Sequence, residues 1–115
     1  LDNQIVCSSY DWWIKKLHLI CPPDQIIIPL LPFPNMAEPI NQETISFLRS
    51  QSKNWFREFM FPEAFQIIDK AISPLRKNSG KLVILDGRIS QRQWGKDMLE
   101  MIQPQKSLNF IYPFD

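Results

Sequence analysis

Glycine is scarce in this chain, with three residues among 115, and no Gly-x-x-x-x-Gly-Lys-Ser/Thr loop occurs to cradle phosphates. Histidine is scarcer still. His18 is the only one, behind Lys15, Lys16 and Leu17, and it reads as a surface or helix-end residue rather than a ligand. Cys7 and Cys21 are the only thiols and have no metal-ligand spacing around them, so no metal site is expected. Two scattered cysteines in a chain with its own core suggest buried free thiols in a reducing, cytoplasmic compartment. Ser8 and Ser9 have no base nearby in sequence and no nucleophile-elbow pattern, which leaves acyl transfer without machinery. No apolar run approaches the ~18 residues that span a bilayer. No stretch has the basic-then-apolar pattern of a secretory leader, so neither a leader nor a membrane partner is expected. The net charge of +1 gives no bulk attraction to nucleic acid, so any basic patch must be local.

What is present suffices for one modest core: 44% hydrophobic content over 115 residues fits a single domain spanning 1–115. A start at Leu1 rather than Met reads as a piece of something longer. Gln4 to Ser8 suggests a short strand. Tyr10, Trp13, Ile14 and Leu17 follow at helical spacing, with Ser9 as N-cap. Ile26 to Leu31 is apolar without alternation, as in a strand covered on both faces, with Pro29 near its end. Pro32, Pro34 and Pro39 then predict an extended loop. Asn41 can cap one long helix carrying Ile45, Leu48, Ser52, Trp55, Phe56 and Phe59. Pro62 suits the first turn of the next helix, whose stripe is Phe65, Ile68, Ile72 and Leu75, with Pro74 disturbing its end. After a turn at Asn78-Ser79-Gly80, Leu82 to Leu85 is a second buried strand. Ser90 and Gln93 form a capping box ahead of Trp94, Met98, Met101 and Ile102, and Leu108 to Phe114 suggests a further strand or packed arm. Strands alternating with helices predict an α/β fold, a layered and mostly parallel sheet flanked by helices.

Ligands of such sheets sit beyond the carboxyl ends of the strands. Two segments reach that edge: the loop from Leu31 to Pro39, and Asp86-Gly87-Arg88. Asp86 and Arg88 could contact nucleotide or DNA, or simply pair with each other and fix the turn. Arg76, Lys77, Lys81, Arg88, Arg92 and Lys96 form the most basic part of the chain and a candidate phosphate-tracking patch. Leu31, Pro32, Phe33 and Pro34 form a stiff apolar loop, either a partner-docking site or a rigid edge over the core. Trp13, Trp55 and Trp94 fall on apolar stripes and belong to packing; Trp12 points off its stripe.

The ordered landmarks resemble the C-terminal motor lobe of the DinG/XPD-type DNA helicases. In that family a strand runs into Leu-Pro-Phe-Pro and a further acidic-Pro pair, matched here by Leu31-Pro32-Phe33-Pro34 and Glu38-Pro39. Trp55-Phe56-Arg57-Glu58, Pro62-Glu63-Ala64, Leu85-Asp86-Gly87-Arg88 and Trp94-Gly95-Lys96 follow in the family's order. The resemblance implies a RecA-like lobe binding nucleic acid, with ATP and Mg clamped only if an N-terminal helicase lobe supplies the phosphate loop. No cofactor is implied for this chain alone.

The departures weigh against catalysis. The family's Ser-Phe-Trp-Glu-Gly-Val-Asp becomes Ser9-Tyr10-Asp11-Trp12-Trp13-Ile14-Lys15, without the glycine or the spaced acids. Its Gln-x-x-Gly-Arg-x-Ile-Arg becomes Asp69-Lys70-Ala71-Ile72-Ser73-Pro74-Leu75-Arg76, so Ser73 stands where the finger arginine belongs. Such a finger contributes on the order of 10³–10⁵ in rate. Arg76, Asp86 and Arg88 are the candidates for nucleotide or phosphate contact, and Lys77, Lys81, Arg92 and Lys96 for nucleic acid; no catalytic residue is expected. A non-catalytic interaction or scaffold domain on the inherited fold is the alternative. An unrelated stand-alone enzyme has no constellation of residues to carry it.

Overall fold

The computed structural model describes residues 5–20, 22–76 and 80–102, together with the backbone of a short strand at 109–111. Residues 5–9 carry no regular structure, so the strand expected from Gln4 to Ser8 does not form there. A helical run follows: α1 (Tyr10–Trp12), a first π-helical turn (Trp13–Leu17) and α2 (His18–Ile20). Ser9 caps it, its hydroxyl accepting from the Trp12 N–H at 3.2 Å. Cys7 is exposed rather than buried, because its own segment does not join the sheet; Cys21 lies outside the described residues.

The sheet is parallel throughout, in the order β1 (Gln25–Ile28), β2 (Lys81–Ile84), β3 (Asn109–Ile111). Strand β1 stops before Pro29, which has no N–H for a ladder. Alternation divides the faces. Ile28, Leu82 and Ile84 enter the core with Ile68, Ile72 and Leu75 of α4 (Phe61–Arg76) and Met98 and Ile102 of α6 (Gln93–Ile102). Ile27 lies on the other face and is 54% exposed, so β1 is covered on one face rather than both.

Between β1 and β2 the single long helix that was expected is two. Helix α3 (Pro39–Ser50) starts at Pro39, two residues ahead of Asn41, because proline is preorganised for the first helical position. Asn41 instead donates its side-chain N–H to the Asn35 carbonyl at 2.8 Å, bracing the loop. The helix stops at a tight reversal. Lys53 N–H bonds to Leu48 O at 3.0 Å and Ser52 N–H to Arg49 O at 2.9 Å, with Ser52 left-handed at φ 57°. Asn54 then caps the next helix, its Oδ1 accepting from the N–H groups of Phe56 and Arg57. A second π-helical turn, Phe56–Met60, leads into α4 with Pro62 as its second residue. The wider turn accommodates the missing Pro62 N–H in mid-path.

Beyond β2, the short α5 (Arg88–Gln91) precedes α6. The capping box at Ser90 and Gln93 does not form: Ser90 sits inside α5 and donates to the Gly87 carbonyl at 3.0 Å. Arg92, extended at φ −98°, separates the two helices. Met98 and Ile102 are buried as their spacing predicts, whereas Met101 is exposed, off the stripe by one position. Of the expected turn at 78–80 only Gly80 is described, and of the apolar tail only 109–111, as β3.

Candidate functional site

The carboxyl edge of the sheet is organised around Asp86, the one buried charged residue among the described residues. Its Oδ2 accepts the Leu31 backbone N–H at 3.0 Å, tying the turn after β2 to the loop after β1. The Arg88 guanidinium forks onto both oxygens, with Nη2 to Oδ2 at 2.6 Å and Nε to Oδ1 at 2.9 Å. The Arg88 backbone N–H adds a further bond at 3.2 Å. Each contact favours the charged carboxylate. The Arg88 hydrogen bond, opposed by burial and helped by the backbone donors, lowers the Asp86 pKa to about 2. The same pair raises the pKa of Arg88 further above its ordinary value.

Arg88 is only half withdrawn from solvent, at 44% exposure, and its guanidinium lies 5.2 Å from the centre of the Phe33 ring. Phe33 in turn meets Trp94 edge-on at 5.0 Å and Phe56 at 5.6 Å. Tyr10 closes the edge from the other side, donating its hydroxyl to the Leu30 carbonyl at 3.0 Å. Burial, reinforced by the nearby Asp86 charge, pushes the Tyr10 hydroxyl well above its ordinary pKa, which keeps it a donor. Nothing in the spacing of the chain pointed to this role for Tyr10, since the contact spans twenty residues of sequence.

The profile of the family described as Helicase C-terminal domain matches residues 23–105. The chain belongs to that family. The ATP-dependent DNA helicase DinG of Photobacterium profundum is 31% identical over 84 residues, 70% of this chain and 12% of that protein. The chain thus spans about an eighth of the relative's length, as 12% shows. No solved structure matches it significantly.

Within this helicase C-terminal domain the basic residues separate into two groups. Arg88, Arg92 and Lys96 follow β2 through α5 and the first turn of α6, and all three are exposed near the carboxyl edge. Lys81 opens β2 and Arg76 closes α4, which places both at the opposite, amino edge, where the Gly80 N–H bonds to Leu75 O. Arg76 is 18% exposed, pairs with Asp69 at 2.7 Å, and keeps a buried Nε without a partner. Lys77 lies outside the described residues.

The Leu31–Pro34 loop also divides. Leu31 is buried in the core, while Pro32, Phe33 and Pro34 line an open groove. Trp13, Trp55 and Trp94 are partly buried, and Trp13 donates its indole N–H to the Ala71 carbonyl at 2.8 Å. Trp12 is half exposed, as its place off the stripe predicts. Among the described residues no group of His, Cys, Asp and Glu gathers to hold a metal, and no helix is long and apolar enough to cross a membrane.

Proposed function

We propose that this chain is a RecA-like C-terminal motor lobe of a DNA helicase whose carboxyl edge contacts nucleic acid. The observation that supports the reading is the Asp86–Arg88 lock at the edge where such sheets bind ligands, with the exposed Arg92 and Lys96 following it in the chain at the end of α5 and in the first turn of α6. Asp86 is fully engaged and positions the edge. Arg88 keeps exposed guanidinium surface for a phosphate, and Arg92 and Lys96 extend the charge along the following turn. Arg76, a sequence candidate for phosphate contact, would have to release Asp69 to serve one, and Lys81 lies with it at the far edge. A nucleotide would reach this lobe from a second one carrying the phosphate loop. With Ser73 in the finger position, this lobe would add little to hydrolysis.

Short single-stranded DNA, titrated by fluorescence anisotropy at low and moderate salt, tests the reading. Binding that weakens with salt is expected, and Arg92→Ala should lower the log–log salt slope by about 0.7. No binding at low salt would support the alternative, an interaction domain on an inherited helicase fold.

A further inference from the structure

A groove of about 460 Å³ opens on the side of the molecule where the proline loop meets α3 and the start of α4. Its apolar surface comes from Pro32, Phe33, Pro34, Ile40, Phe59 and Ile67. The remaining three lining residues are Asn41, Thr44 and Glu63. Their hydrogen-bonding capacity is one-sided. One N–H of the Asn41 amide is already engaged with the Asn35 carbonyl, and the Thr44 hydroxyl proton with the Ile40 carbonyl at 2.9 Å. What faces an incoming group is therefore mainly acceptor: an amide oxygen, hydroxyl lone pairs and a carboxylate.

Charge points the same way. Glu63 is the only ionisable residue in the lining, and no described salt bridge engages it. Glu38 and Glu43 stand at the N-cap and in the body of the adjoining α3. Of the basic residues around the groove, Arg57 is paired with Asp97 at 3.2 Å, and Arg88, over the Phe33 ring, is paired with Asp86. The lining thus carries one carboxylate and no basic residue, whereas the carboxyl edge beyond Phe33 is basic.

We infer that the groove is a protein-docking site for a partner segment combining a lysine or arginine with an apolar residue. Apolar contact with Phe33, Phe59 and the prolines would hold the partner's hydrophobic side chain, while Glu63, Asn41 and Thr44 accept from its cationic head. A phosphate backbone would meet the Glu63 carboxylate and at most one amide N–H there, so this site is separate from the nucleic-acid edge and does not depend on that reading. The rigidity of the wall favours the interaction: Pro32 and Pro34 fix its backbone, and the Asp86 bond to Leu31 anchors its base.

The test uses three labelled peptides of equal length, one leucine-, proline- and lysine-rich, one with glutamate for lysine, and one with serine for leucine. Anisotropy titrations should show the first binding and the other two much weaker. In ¹H–¹⁵N spectra its perturbations should centre on Phe33, Ile40, Thr44 and Glu63. Glu63→Lys, a change at an exposed position, should weaken binding about three- to fivefold, the weight of one exposed ion pair. The same variant should bind single-stranded DNA no less tightly than the parent. Absence of binding at about 1 mM peptide would overturn the inference. So would equal binding of the acidic peptide, or perturbations centred on Arg88 and Arg92.

Discussion

Asp86 carries more of this structure than any other polar residue, because four donors, from Leu31 and Arg88, converge on its two oxygens. Its folded pKa of about 2 lies below the value of about 3.9 for a free aspartate. The depressed value means that the charged form favours the fold. The contribution, about 2 kcal/mol, is complete above pH ~4 and is lost as pH falls toward ~2. Urea unfolding of the parent should therefore weaken by about that amount across the window, and Asp86→Asn should begin lower and stay flat. An unchanged pH profile in the variant would remove Asp86 from this role. Sequence made the partnership with Arg88 legible, two residues away at a strand end. It could not show the Leu31 N–H, because a side chain's long-range backbone partner leaves no periodic trace. Gly95 is a second instance. A Cβ there would collide with the Ile89 carbonyl oxygen, so the glycine of Trp94-Gly95-Lys96 serves helix α6 packing against the end of α5. Gly95→Ala should destabilise by about 2–3 kcal/mol, and calorimetry showing no loss would contradict that packing.

At the scale of elements, the apolar runs located β1, β2 and the stripe of α4 because burial in a parallel sheet leaves a strong, simple pattern. The break between α3 and α4 was hidden for a physical reason. Helices of this kind commonly end on a left-handed glycine, and here serine occupies the position at φ 57°. The apolar spacing from Ile45 to Phe59 passes through the break without changing phase, so periodicity read it as one helix. Ser52→Gly should relieve the left-handed strain and stabilise by roughly 0.5–1 kcal/mol after glycine's larger unfolded-state entropy offsets part of the gain. A lower melting temperature for that variant would mean the reversal is held by something other than backbone conformation. The π-helical turns were equally invisible, since each inserts a residue without altering composition.

At the scale of the molecule, a net charge of +1 conceals a polarity. Arg88, Arg92 and Lys96 stand at the carboxyl edge, while Lys81 and the Asp69-paired Arg76 stand at the amino edge. In the sequence these side chains read as one basic stretch because they are close in the chain; the strand between them carries them to opposite ends. If nucleic-acid affinity came from bulk charge, position would not matter. Lys81→Glu and Lys96→Glu alter the net charge identically, and both side chains are exposed, so neither should disturb the core. The edge assignment therefore predicts unequal effects. Lys96→Glu should weaken single-stranded DNA binding about tenfold, through one lost contact and one new repulsion, with a lower salt slope. Lys81→Glu should leave both nearly unchanged. Equal losses would show that the whole surface acts as a diffuse counter-ion and that no nucleic-acid site is built at the carboxyl edge.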